Sequence, residues 1–177
     1  MGVKLTSLIW GFAEATFFFI VPDVLLTLIA LKNWRLATRA CLWSLGGALI
    51  GGVIMYTWGA SEPSSAKEFL EHVPAVDNEL LQGVSREVES RGAMATFSGP
   101  FAGKPYKAYA VQAGASDVNL PLFLLISVPA RLLRFLLAAW ITAAIFNILL
   151  KRVKPRHKIV ALCGFWIMFY ACFLSVM

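Results

Sequence analysis

Histidine and acid are both scarce in this chain, and its few cysteines carry no metal-type spacing. The two histidines, His72 and His157, fall in polar stretches outside the apolar runs. No His-Glu-x-x-His, Gly-x-Ser-x-Gly or histidine-based phosphatase pattern occurs, which argues against an enzyme acting on lipid phosphates within the membrane. Nothing in the sequence calls for a metal or another cofactor. The three cysteines, Cys41, Cys163 and Cys172, are odd in number and lie in apolar segments, so they read as small buried apolar residues. Charged residues make up only 15% of the 177 positions, and Asp and Glu together number 10.

What is abundant is apolar surface. The composition is 59% hydrophobic, with a mean hydropathy of +0.71. That defines an integral membrane protein, expected at this length to form one domain. The net charge of +6 comes from bases that flank apolar spans. It therefore reads as an orientation signal under the positive-inside rule, not as a nucleic-acid surface.

The first apolar run, Leu5 to Leu31, is too long for one simple crossing, since about 20 apolar residues already span a bilayer. It is also too long for a signal-peptide core, so cleavage is not expected. Within it stand Glu14, Pro22 and Asp23. Proline lacks an amide hydrogen and disfavours helix at the residue before it. A carboxylate at the centre of a lipid-facing helix would cost roughly 2.5 kcal/mol or more. The run is expected to form a re-entrant hairpin over residues 5–31, two half-helices meeting at Pro22 and Asp23. Non-helical backbone at membrane depth requires a cavity or burial in protein.

A basic turn with Lys32, Arg35 and Arg39 leads into an expected crossing at 36–58, with Trp34 and Trp58 as interfacial anchors. Gly47 and Gly51 form a GxxxG pair, and Ala48 and Gly52 a similar small-residue pair one position on. Each puts two small residues on one helix face for close packing of a second backbone. Residues 62–92 look soluble, with seven acids against three bases across 59–92. Ser65 and Glu68 suggest a capping box. Val76, Leu80, Leu81, Val84 and Val88 form a helical stripe that stops at Arg91 and Gly92. Two amphipathic helices at the membrane surface are expected here, with His72 solvated.

Residues 93–116 are apolar again but interrupted by Gly99, Pro100, Gly103, Lys104, Pro105 and Lys107. They are expected to make a second re-entrant hairpin. Two broken hydrophobic segments in corresponding halves are a sequence pointer to a transport site near the bilayer midplane. A crossing at 120–150 carries Pro129, Arg131 and Arg134. The two arginines are i and i+3, share a face with Ser127, and need anionic partners or a water-filled cavity. The basic block Lys151, Arg152, Lys154, Arg156 and Lys158 precedes a last crossing at 159–176. With both hairpins re-entrant, this block falls on the same side as Lys4, Lys32, Arg35 and Arg39, with no acid among them. That segregation predicts a cytoplasmic N-terminus. The fold expected is thus an all-α integral membrane protein. Two broken-helix hairpins face each other among about three full transmembrane helices and surface amphipathic helices.

The residues resemble the DedA/VTT family of membrane proteins, in its small YqaA-like branch. The resemblance covers most of the chain. It rests on Gly11-Phe12-Ala13-Glu14 followed by Pro22-Asp23, and on the glycine-rich crossing ending in Tyr56 and Gly59. It continues in Pro105-Tyr106-Lys107 followed by Gly114, and in Arg131 with Arg134-Phe135. The chain departs from that branch at Ala102-Gly103-Lys104, where Thr-Pro-x usually precedes Pro-Tyr-Lys. The resemblance implies a lipid transporter, a flippase or scramblase for a phosphate-bearing lipid such as undecaprenyl phosphate or a phospholipid, in a bacterial inner membrane. Lys104, Tyr106, Lys107, Arg131 and Arg134 would then receive the anionic headgroup, and Glu14 and Asp23 would exchange protons as coupling ions. A non-transporting accessory protein is the alternative. The oligomeric state is left open, a homo-oligomer included.

Overall fold

The computed structural model describes residues 2–74 and 76–176, and the side chains of residues 149, 174 and 176 are outside that description. Every regular element among the described residues is helical. The order is α1 (Val3–Thr16), α2 (Asp23–Lys32), α3 (Trp34–Ser61), α4 (Pro63–Glu71), α5 (Asn78–Arg91), a short α6 (Ala95–Ser98), α7 (Tyr106–Ala115), α8 (Leu120–Ala144) and α9 (Pro155–Val176). Three stretches are long and apolar enough to cross a membrane: Trp34–Ser61, Leu120–Ile148 and Pro155–Phe173. The chain is an all-helical protein of the integral membrane class.

The long helix α3 is the axis on which the rest is assembled. It starts at Asn33, whose side chain accepts hydrogen bonds from the amides of Arg35 and Leu36 at 3.0 and 3.1 Å. This supplies partners for two of the amides that a helix start leaves free. Its small residues then form two seams. Gly47 faces the backbone of Leu8 and Phe12, and Gly51 faces Ala15 and Thr16, all on α1. Gly52 lies against the Tyr106 ring and Gly59 against the Val111 backbone, both on α7. A side chain at Gly47 or Gly59 would meet another helix's backbone, so only glycine permits this approach. Gly11 and Gly114 repeat the device from the other side, facing Ser44 and Tyr56.

The pairings fix direction. Leu8 to Thr16 advance with Gly47 to Gly51, so α1 runs parallel to α3 and ends beside its middle. The chain breaks over residues 17–22, and α2 returns toward the start of α3, where Leu26 and Ala30 pack with Ala37, Ala40 and Cys41. Likewise Tyr106 starts beside Gly52 and Gly114 lies beside Tyr56 and Ala60, so α7 follows the second half of α3. Phe123 lies 5.8 Å from the Tyr56 ring, and the Trp140 indole donates to Thr38 at 3.0 Å, so α8 is antiparallel to α3.

Several local details differ from the sequence expectations. Pro22 does not sit at the middle of the first break but at its far edge, as the cap preceding Asp23. Its fixed φ and missing amide suit a helix start. The helix expected to be capped by Ser65 begins instead at Pro63, again with proline in the first turn and with no side-chain cap. Asp77 caps α5 through the Leu80 amide at 2.7 Å, and α5 ends at Gly92, whose φ of 57° suits a residue without Cβ. The apolar faces of α4 and α5, including Leu70, Leu81, Val84 and Val88, are buried in the core that contains α7. They cover protein rather than facing outward. The second apolar arm is fragmented into a 3₁₀ turn at Gly92–Met94, α6, and another 3₁₀ turn at Gly99–Phe101. The last helix starts at Pro155, absorbing part of the basic block. Of the cysteines only Cys41 is buried; Cys163 and Cys172 lie exposed on α9.

Candidate functional site

The two chain breaks meet beside the middle of α3. Helix α1 ends with free carbonyls, as every helix does. Lys107, in the first turn of α7, donates to one of its terminal carbonyls, Glu14 O at 3.2 Å, and to Phe18 O in the break that follows, at 2.8 Å. A cation at a helix C-terminus is also favoured by the aligned peptide dipoles. This one side chain therefore ties the second break to the first.

From α8 come the two arginines. One helical turn of spacing places both on the face toward α1 and α2, and each finds a carboxylate. Arg131 forks onto Glu14, with Nη1 to Oε1 at 3.2 Å and Nη2 bonded to Oε2. Its guanidinium carbon also lies 4.7 Å from the Tyr106 ring and 5.0 Å from the Phe135 ring. Arg134 sends both Nε, at 3.0 Å, and Nη2 to a single oxygen of Asp23, Oδ2. Each carboxylate thus neutralises an arginine, Arg131 buried and Arg134 half-buried, which is the arrangement charge withdrawn from water requires.

A cavity of about 270 Å³ opens beside these pairs. Glu14, Asp23, Lys104, Lys107 and Arg134 supply its polar wall. Phe18, Phe19 and Val21 of the first break and Pro100, Gly103 and Pro105 of the second supply backbone and apolar surface. Pro74 and Val76 close one edge. The remaining wall is an aromatic face of α9: Phe165, Trp166, Phe169, Tyr170 and Phe173. That helix is held by two polar contacts, the Trp166 indole donating to Thr27 Oγ1 at 3.0 Å and the Val21 amide donating to Tyr170 Oη at 2.9 Å.

The tip of the second break is fixed from α5. Lys104 Nζ lies 2.6 Å from Glu87 Oε1, and Tyr109 donates to Glu87 Oε2 at 2.6 Å. Burial pushes the Glu87 carboxyl up, but the hydrogen bonds from Lys104 and Tyr109 outweigh it and hold the group below its usual value.

Of the residues singled out from the sequence, Glu14, Asp23, Lys104, Lys107 and Arg134 border the cavity. Arg131 and Tyr106 do not. They are stacked on each other behind it, and neither is more than 1% exposed. Sequence reasoning missed Glu87, Tyr109 and the aromatic face of α9. The last left a readable signal, since positions 165, 166, 169, 170 and 173 repeat at helical spacing.

No protein-family model matches the chain, and no solved structure does. An uncharacterized protein of Haemophilus influenzae (strain ATCC 51907 / DSM 11121 / KW20 / Rd) is 29% identical over 133 residues, spanning 75% of this chain and 68% of its own.

Proposed function

We propose that the protein translocates a phosphate-bearing lipid across a membrane, with the cavity between the two breaks as the headgroup site. The observation that carries this reading is the cavity wall itself. It combines three cations, Lys104, Lys107 and Arg134, and two carboxylates, Glu14 and Asp23, with the aromatic face of α9. A polar lining with cations in excess of carboxylates, beside an apolar aromatic wall, suits an amphiphile with an anionic head. Arginine offers planar, charge-assisted hydrogen bonds to phosphate oxygens, and lysine adds compact charge.

The pairing of elements supports reading both breaks as re-entrant. Helix α1 stops beside the middle of α3, and α7 begins beside that same middle. Broken backbone at that depth is tolerated where it lines a cavity. Lys4, Lys32, Arg35, Arg39 and the five bases at 151–158 then share one end of the bundle, which the positive-inside rule makes cytoplasmic. A bacterial inner membrane and membership of the DedA/VTT family fit the same reading, as does proton exchange at Glu14 or Asp23.

The test is lipid capture. Protein purified in mild detergent should retain anionic phospholipid or polyprenyl phosphate in native mass spectrometry, and Arg134→Gln should reduce that retention several-fold. Equal retention of zwitterionic and anionic lipids by both proteins would leave the site without a headgroup preference and refute the reading.

A further inference from the structure

The two ion pairs are not equivalent. Glu14 has both oxygens bonded to Arg131, and Arg131 is held between the Tyr106 and Phe135 rings, fully buried and off the cavity wall. Releasing Arg131 would leave a guanidinium between two rings with no route to a ligand. Asp23 and Arg134 both line the cavity. Arg134 keeps 19% of its side chain exposed there and engages only Oδ2 of Asp23. The other oxygen, Oδ1, is buried and has no hydrogen-bond partner among the described residues. A buried carboxylate oxygen without a donor is an expensive arrangement, relieved when that oxygen carries a proton.

We infer that the pairs divide the work of the headgroup site. Asp23 takes up a proton on Oδ1 as an anionic phosphodiester or phosphomonoester group replaces it on Arg134, while Glu14 and Arg131 stay paired throughout. This rests on the headgroup reading and assigns its coupling to one residue. The balance is simple. One proton from solvent forms an O–H bond on Asp23, Arg134 stays charged, and the arriving anion supplies the negative charge that Asp23 has lost. The site's total charge changes by nothing, so no uncompensated ion is left in the interior. The groups that face Asp23 are Arg134 on α8, Tyr170 on α9 and Cys41 on α3. Glu14 and Lys107 lie around the same cavity. Both carboxylates border the cavity, but of the two only Asp23 keeps an oxygen with no partner among the described residues.

Proton-linked calorimetry tests the assignment. Binding of phosphatidylglycerol in detergent is measured at one pH in two buffers of different ionisation enthalpy, which counts protons taken up per lipid. A phosphodiester is used because it does not itself titrate near neutrality. Glycerophosphoglycerol, the same headgroup without chains, is the second arm. Binding of both ligands means the anion alone suffices, and binding of the lipid only means the α9 wall contributes.

Wild type is expected to take up about one proton per ligand, and Asp23→Asn, in which Glu14 is intact, none, with tighter binding that no longer depends on pH. No uptake by wild type, or persistent uptake by Asp23→Asn, would each overturn the inference. An infrared difference spectrum of wild type on lipid binding gives the same answer without a variant. A protonated carboxyl band should appear with the lipid, and its absence would overturn the inference. Failure of wild type to bind either ligand at any pH would instead refute the headgroup reading, and this inference with it.

Discussion

Removing one member of the inner ion pair should do more damage than removing both. Glu14→Gln leaves the Arg131 guanidinium buried between two rings with its counter-ion gone. An uncompensated buried charge costs about 3–5 kcal/mol. Arg131→Met should cost less, because an orphaned carboxylate can neutralise itself with a proton whereas arginine cannot. The double variant removes both charges and replaces the guanidinium with an adaptable apolar chain of similar length. It should lie within about 1–2 kcal/mol of wild type, since buried pairs exchanged for apolar residues are often neutral. The four proteins form a double-mutant cycle whose coupling energy should reach about 2–4 kcal/mol, against roughly 0–1 kcal/mol for an exposed pair. The assay is reversible unfolding in mixed micelles with increasing SDS, followed by the fluorescence of the six tryptophans. A coupling below about 1 kcal/mol, or a double variant as unstable as Glu14→Gln, would refute the argument that this pair is desolvated and closed.

Three further outcomes follow from the same geometry. Gly47→Val puts a side chain against the Leu8 carbonyl on a backbone that cannot retreat, and should destabilise by about 1–3 kcal/mol. Gly46→Ala, in open space one residue earlier, should instead be neutral or stabilise by up to about 1 kcal/mol, and the same SDS titration compares them. Glu87 is held below its usual value in the folded protein, so its contribution is present above the ordinary carboxylate range, near about 4.3, and is lost as pH falls through the lower folded value. Glu87→Gln should therefore melt lower than wild type near neutral pH and converge with it in acid, and melts that stay parallel at all pH values would contradict this. Single cysteines at Glu68 and Lys154, in a chain whose native cysteines are replaced, should label from opposite sides of the membrane. Labelling from one side would remove the paired-hairpin topology.

The sequence carries the local structure well and the long-range structure poorly, for a physical reason. Proline, glycine and capping side chains act within a few residues. The breaks near Pro22 and Gly99–Pro105, the stop at Gly92 and the three apolar helices were therefore readable. So was the need of Arg131 and Arg134 for anionic partners. Which carboxylate each one takes was not readable, because the partners lie 117 and 111 positions away and their register is set by the glycine seams of α3. Small residues every fourth position announced close packing, but not that Gly47 and Gly51 receive α1 while Gly52 and Gly59 receive α7. The apolar stripe of α5 was visible, yet a stripe does not say whether lipid or protein covers it. Lys107 read as a headgroup ligand, whereas it also serves as the cap of a distant helix.

The most direct measurement of the central claim is lipid translocation by the purified protein in liposomes, using fluorescent phosphatidylglycerol and labelled polyprenyl phosphate. Wild type should move at least one of them faster than protein-free liposomes do. Arg134→Gln, reconstituted at equal density and shown to be folded, should lose most of that rate. Wild-type rates equal to those of empty liposomes for both lipids, with and without an imposed proton gradient, would contradict the account and leave an accessory role.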